Sequence, residues 1–358
     1  MKITGNCIID NDVSEIISEN LDWHYFSGKT ILVTGANGML PACIIYALIG
    51  LNESVLKFNP CKIIALVRNR EKALLKFKNF IGRADFSLLI NDVSTFSDCE
   101  EKIDIIIHAA SQASPKYYGV DPVGTLKANT IGTMNLLEFA KKKNVEKFLF
   151  VSSGEVYGVL DGSKENIDET YTGNVDITNV RSCYAESKRM GETMCVSYSH
   201  QYGIHVNMVR LAHTYGPGCD LNDGRVFADF VKNIINGENI RVNSDGSAKR
   251  CFLYITDMIK GLFYVLLKGE DKAAYNINSE KETSIKELAT ILCSLYPEKN
   301  LHAEFLQTRD DNSYIRSKSQ RILFNNSKLR ALGWNESMSV RDGFKRMIDS
   351  YIVQECAI

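Results

Sequence analysis

Tyr184 and Lys188 stand four residues apart in Tyr184-Ala-Glu-Ser-Lys188. On a helix that spacing puts both side chains on one face. A lysine cation beside a phenol favours the phenolate, so the pair can act as a base near neutrality when a positively charged cofactor ring lies close. The spacing alone is common, and it recurs at Tyr264 and Lys268 and at Tyr314 and Lys318. Context separates the three. Tyr264 lies in Gly261-Leu-Phe-Tyr-Val-Leu-Leu267, which reads as a buried apolar helix. Only Tyr184 follows Val151-Ser-Ser-Gly-Glu-Val-Tyr-Gly158, a turn at the end of an apolar strand. Ligands of doubly wound sheets bind beyond such strand ends. Ser153 can therefore hydrogen-bond the same substrate oxygen that Tyr184 deprotonates.

A second constellation precedes it. Gly35-Ala-Asn-Gly38 sits between the apolar run Thr30–Thr34 and an apolar helix. Glycine there lets the backbone turn tightly and approach a pyrophosphate, which the helix N-terminus stabilises. The third glycine of the usual fingerprint is replaced by Pro41, which a first helical turn tolerates. After the second strand comes Arg68, where an acidic residue would bind a ribose 2′-hydroxyl. Arginine there suits a 2′-phosphate, so NAD and NADP both stay open as cofactors. Asp92, in Asn91-Asp-Val93, can place a carboxylate by the adenine amine.

The elements that must carry these residues follow from patterning. Thr30–Thr34, Lys62–Val67, Ile103–His108, Lys147–Ser152 and Val206–Leu211 read as buried strands. Helical segments lie between them, notably Thr125–Lys143 and Tyr184–Tyr202. Continuous apolar strands alternating with helices predict an α/β fold with a doubly wound parallel sheet, Rossmann-like, covered on both faces. Residues 1–27 read as an N-terminal arm with a helix from Asp12 to Asn20. Residues 28–211 and about 252–278 form the dinucleotide-binding domain, to which Phe252–Ile255 returns. Residues 212–251 and 279–358 form a smaller, interleaved C-terminal substrate lobe.

Composition limits the function classes. The 358 residues carry a net charge of −1, which gives no electrostatic case for nucleic acid or an anionic membrane. The longest apolar run, Ala42–Leu51, is too short to span a bilayer. Ten cysteines lie scattered without a metal-binding spacing, as expected of reduced thiols in a cytoplasmic protein, and no metal is expected.

Taken together, Gly35-Ala-Asn-Gly38, His108-Ala-Ala, Ser152-Ser-Gly-Glu-Val-Tyr-Gly158, Tyr184 with Lys188, and Tyr215-Gly-Pro217 resemble the extended short-chain dehydrogenase/reductases. Within these the chain resembles the NAD-dependent epimerase/dehydratase family over about residues 29–350. Its motifs are most like the UDP-glucuronate decarboxylase branch, through Ala113-Ser-Pro115, Thr125-Leu-Lys-Ala-Asn-Thr-Ile-Gly-Thr133, Leu221-Asn-Asp-Gly-Arg-Val226, Gly246-Ser-Ala-Lys-Arg250, Leu332-Gly-Trp334 and Arg341-Asp-Gly-Phe344. The resemblance implies that Gly35, Asn37, Gly38, Met39, Leu40, Arg68, Asp92, Val93, Ala109, Tyr184 and Lys188 bind the dinucleotide. It implies a nucleotide-diphosphate sugar as substrate, near Ser114, His213, Arg225, Arg250 and Arg321. It implies catalysis by Tyr184, Lys188, Ser153 and Glu155 through a transient 4-ketone. A homodimer is implied, formed through Thr125–Lys143 and Tyr184–Tyr202, with Leu136, Leu137 and Met194 as surplus apolar surface.

Two departures from the pattern matter. Gly154 stands where the dehydratases keep an acid and the decarboxylases usually a serine, and His213 stands where asparagine is common. Glu155 and Arg250 match the decarboxylases, so a nucleotide-linked uronic acid losing carbon dioxide is the leading expectation. Epimerisation or 4,6-dehydration, and NADPH-dependent reduction of a keto-sugar nucleotide, are the enzymatic alternatives. A non-catalytic binding protein on the same fold is the reading from another class; intact Ser153, Tyr184 and Lys188 argue against it.

Overall fold

A computed structural model describes residues 2–159, 166–305 and 323–353. Among these, seven parallel strands form the central sheet. They are β1 (Thr30–Thr34), β2 (Lys62–Val67), β3 (Phe86–Ile90), β4 (Ile105–His108), β5 (Lys147–Ser153), β6 (His205–Leu211) and, beyond some shorter strands, β11 (Ala273–Ile277). Their order is β11-β6-β5-β4-β1-β2-β3, so the chain reverses direction across the sheet between β1 and β4. Register places Thr34 beside both Leu66 and His108, which brings the ends of β1, β2 and β4 level. The doubly wound parallel sheet expected from the sequence is present.

Alternation along each strand sends side chains to opposite faces. Ile31 and Val33 pack with α2 (Met39–Glu53) and α9 (Ile255–Lys268). Leu32 packs on the other face with α6 (Ile131–Lys143) and α7 (Ser182–Tyr202). α3 (Arg70–Lys76) follows β2, α4 (Pro115–Val120) packs on α5 (Pro122–Asn129), and α5 packs against α6 and α7. Three short strand pairs build the second layer of structure over the sheet's carboxyl end. They are β7 (His213–Tyr215) with β10 (Phe252–Tyr254), β8 (Ile240–Val242) with β13 (Ala303–Phe305), and β9 (Lys249–Arg250) with β12 (Thr283–Ser284). Around them pack α8 (Val226–Asn236), α10 (Ile285–Ser294) and α12 (Val340–Ile352), while α11 (Ser327–Arg330) lies against β11.

Four local expectations change. The arm's helix is α1 (Cys7–Ile17), five residues earlier than expected, because the Asn6 side chain caps it by accepting from Ile8 N at 3.1 Å and Ile9 N at 3.3 Å. Phe252–Tyr254 does not rejoin the main sheet; it pairs with β7, and α9 makes the return instead. The segment 125–143 is two helices, interrupted at Thr130. Thr130 and Thr133 donate back to the carbonyls of Leu126 and Asn129 at 2.7 and 2.6 Å, bonds that bend helices. Strands β3 and β11 were not expected, since Phe86-Ser-Leu-Leu-Ile90 and Ala273-Ala-Tyr-Asn-Ile277 are short and only partly buried edge sequences.

The arm is tied down rather than loose. Asp12 is buried, accepts from the Tyr254 hydroxyl at 2.6 Å and pairs with Arg346 of α12 at 2.9 Å. Burial outweighs these donors and pushes its pKa up to about 6. Among the described residues no helix is long and apolar enough to cross a membrane, and the nine described cysteines are free.

Candidate active site

A cavity of about 1160 Å³ opens at the carboxyl ends of β1, β2, β4, β5 and β6. Its first end is built by the turn after β1. Gly35 has φ +69°, and a Cβ there would lie 2.7 Å from Ala110 Cα, so only glycine lets the two strand ends come this close. Gly38 caps α2, whose first free N–H groups face the cavity. The Asn37 amide donates to Asn69 O at 2.9 Å, and its Oδ1 is buried with no donor among the described residues. The Ser111 hydroxyl on the same wall is also buried, with no partner among the described residues. A tight glycine cradle, a helix N-terminus and buried unsatisfied polar atoms fit a dinucleotide. Asn37, Gly38, Met39, Leu40, Arg68, Asp92, Val93 and Ala109 all line this end with Gly35.

A buried network that the sequence reading missed stiffens that floor. Thr34 Oγ1 accepts from Ala109 N and Ala110 N, both at 3.1 Å, and so turns its own proton to His108 Nδ1 at 2.8 Å. Thr133 donates to Asn129 O and so accepts from His108 Nε2 at 3.0 Å. The two hydroxyls fix His108 as the neutral Nε2–H tautomer. Burial, with Lys188 nearby, pushes its pKa down to about 3.

The other end holds the tyrosine. Tyr184 is 7% exposed, and its ring stacks on Tyr118 at 4.9 Å with an 18° tilt. Burial pushes its pKa up to about 12; Ser153 and Arg225 act downward and Glu155 upward. Lys188, one turn on, is buried and donates to Val151 O at 2.8 Å. Its Nζ lies 5.9 Å from the Tyr184 ring centre. Burial lowers Lys188 to about 7, against the opposing pull of Glu192. The phenol is thus not lowered by Lys188 alone: burial wins until further positive charge enters the cavity.

Ser153 ends β5, and its Oγ accepts from Glu155 N at 3.2 Å, capping the short 3-10 turn Gly154–Tyr157. Glu155 is gripped by Arg181 through two bonds of 2.8 and 3.0 Å. Sequence reasoning missed Arg181, although it stands three residues before Tyr184 and so on the same helical face. Behind the turn, Arg210 holds Glu192 at 2.7 Å and the Tyr157 hydroxyl at 3.0 Å, and Ser152 donates to Glu192 at 2.5 Å.

Gly154 does not leave an open space. A Cβ there would lie 2.2 Å from Cε2 of Phe324, which is buried against Tyr157. The phenyl ring occupies the place of the missing side chain. That ring comes from a residue 170 positions away in sequence, and no local pattern announces it.

The remaining candidates divide. Ser114, which donates to Asp223 O at 2.7 Å, lines the cavity with His213 and Arg225. Arg225 pairs with Asp223, and its Nε lies 2.6 Å from the carboxylate. Burial lowers His213 to about 3, helped by Arg250 and Arg225, so its ring is neutral. Arg250 is not on the cavity wall; it lies on β9, donates to Lys249 O at 2.7 Å and acts on His213 through its charge. Arg321 lies outside the described residues, as do Tyr314 and Lys318. Tyr264 sits far from the cavity and donates to Glu19 of the arm at 3.1 Å.

Fold and site together define a dinucleotide-binding enzyme of the doubly wound α/β class, with a tyrosine and a lysine at the end of the fifth and sixth strands. The model of the NAD dependent epimerase/dehydratase family matches residues 31–278, and the chain belongs to that family. It is 31% identical over 329 residues to UDP-glucuronic acid decarboxylase 6 of Arabidopsis thaliana, covering 91% of this chain and 89% of that protein. It is 34% identical over 278 residues to UDP-glucuronic acid decarboxylase 3 of the same plant, covering 76% and 77%. Its fold is similar to that of UDP-glucuronic acid 4-epimerase from Bacillus cereus, solved with UDP-glucuronic acid and NAD. The TM-score is 0.75, at 21% identity over 90% of this chain and 98% of that one.

Proposed function

We propose that this chain removes the C6 carboxyl of a nucleotide-linked uronic acid, working through a sugar oxidised transiently at C4. The observation that carries the choice is Gly154 under Phe324. Water loss needs an acid beside the 6-hydroxyl, and a phenyl ring fills the position where that acid would stand. The decarboxylase relatives support the same choice.

A bound nicotinamide supplies a reversible two-electron acceptor. The chain's own residues do the rest. Ser153 and Tyr184 hold the sugar 4-hydroxyl between them, and Tyr184 takes its proton. Lys188 holds the ribose side and stays charged beside the phenolate. Arg225 and Arg181 bring two cations to the same end, where diphosphate and sugar carboxylate carry the substrate's negative charge. Glu155, held as a carboxylate by Arg181, takes up a proton from solvent and passes it to C5 of the enolate that remains after carbon dioxide leaves. His213, neutral, can donate or accept a hydrogen bond from the cavity wall. The test is to offer UDP-glucuronate and UDP-glucose separately and follow carbon dioxide release and product configuration by NMR. A pentose nucleotide from the acid, and no change in the neutral sugar, is expected. Turnover of UDP-glucose with none of the acid overturns the reading and leaves C4 epimerisation standing.

The same reading includes a homodimer. Leu136 and Leu137 are fully buried and Met194 packs on the same core, so they are not surplus surface. The apolar surface lies instead at Ile131 and Met134 of α6 and at Met190 and Val196 of α7, between 38% and 49% exposed. Neighbouring helices with such residues outward form a patch that a second copy would cover. Light scattering should give twice the chain mass, and Met134→Glu with Met190→Glu should give one. A wild-type monomer at micromolar concentration contradicts this assignment.

A further inference from the structure

The adenosine end of the cavity carries more positive charge than a neutral ribose needs. Arg68 directly follows β2, where a carboxylate would otherwise accept hydrogen bonds from the ribose diol. Lys72 and Lys76, one turn apart on α3, line the same end. Neither ammonium has an ion-pair partner or a hydrogen-bond acceptor among the described residues. Lys76 is half-buried, and loss of water followed by repulsion from Lys72 pushes its pKa down to about 8.

The nearby carboxylates do not neutralise this cluster. Asp92 approaches Arg68 only at 3.5 Å, and its Oδ1 is already engaged by Ser94 N and Oγ at 2.8 and 2.7 Å. Asp121 also feels Arg68, but it caps α5 through Gly124 N and accepts from Gln112. Three cations around one concave wall repel one another unless an anion enters. A phosphate dianion satisfies a guanidinium and two ammoniums together.

We infer that Arg68, Lys72 and Lys76 form a subsite for a phosphate monoester on the ribose 2′-oxygen, so that the chain binds NADP in preference to NAD. This rests on the dinucleotide reading of the cavity. It departs from what the family's description alone would give.

Calorimetric titration of the whole protein with NADP⁺ and with NAD⁺ tests it. The wild type should bind NADP⁺ more tightly by roughly 10-fold or more, the worth of one or two charge-assisted contacts. Lys72→Ala with Lys76→Ala should weaken NADP⁺ by roughly 10-fold and leave NAD⁺ within about 2-fold, and Arg68→Asp should weaken NADP⁺ by roughly 10-fold while NAD⁺ binds as well or more tightly. All three side chains reach the protein surface, and an unchanged melting temperature shows the variants folded. Equal or tighter binding of NAD⁺ by the wild type overturns the subsite while the dinucleotide reading stands. Binding of neither overturns both.

Discussion

Replacing Tyr184 with phenylalanine should lower turnover by roughly 10²–10⁴-fold and leave the melting temperature unchanged. The substitution keeps the ring that stacks on Tyr118 and removes only the hydroxyl. Ser153 cannot replace it, since its own hydroxyl has no base to receive a proton. The pH profile gives a second readout. Burial holds the phenol up near 12 in the free site, so activity depends on positive charge drawn close to it. Wild-type kcat should rise with pH to a plateau as Tyr184 gives up its proton in the loaded site. Lys188→Met removes the ammonium one helical turn from the phenol and should move that limb to higher pH, whereas Tyr184→Phe should flatten it. Tyr264→Phe is the control, because that hydroxyl donates to Glu19 of the arm and does not line the cavity. A Tyr184→Phe enzyme as active as the wild type would remove the base from this site.

The second large effect is on stability. Gly154→Ser should destabilise the protein by about 1–3 kcal/mol, because the added Cβ overlaps the Phe324 ring. Phe324→Ala should cost about 3–5 kcal/mol by itself, since the ring is buried against Val156, Tyr157 and Ile167. The double variant should then be more stable than the sum of the two losses by about 1 kcal/mol or more, because each change relieves the other. Thermal or denaturant unfolding of the four proteins measures the cycle. Strict additivity would mean that ring and glycine do not share the same space. The cycle also bears on chemistry, since the double variant carries serine at the position where the decarboxylase pattern usually has it.

Much of the site was readable from local pattern, and the reason is physical. A cradle such as Gly35–Gly38 needs its residue types within a few positions, and strand, turn and helix follow in order. Tyr184 and Lys188 are joined by one helical turn. What escaped was set by contacts distant in sequence. Phe324 reaches Gly154 across the molecule, and the Thr34–His108–Thr133 network joins two strands and a helix. Motif matching offered Arg250 as a substrate residue; its strand pairs with β12, and its charge reaches His213 on the cavity wall. Leu136 and Leu137 looked surplus for one apolar stripe. In the structure α6 is covered by both the sheet and α7, which widens the face that must be apolar. The break at Thr130 depended on which way two hydroxyls turned.

The tether between α1 and α12 has a consequence for how the chain is made. Asn6 donates to Ser350 O at 2.8 Å, and Arg346 reaches both Asp12 and Glu15. The docking surface for α1 is therefore supplied in part by α12. During synthesis from the amino terminus, α1 emerges long before Arg346 exists to neutralise Asp12. A lone buried carboxylate is costly, so α1 has reason to stay undocked until α12 has been made. Closure of this contact, more than 330 residues apart in sequence, is a late event that reports completion of the α/β body beneath it.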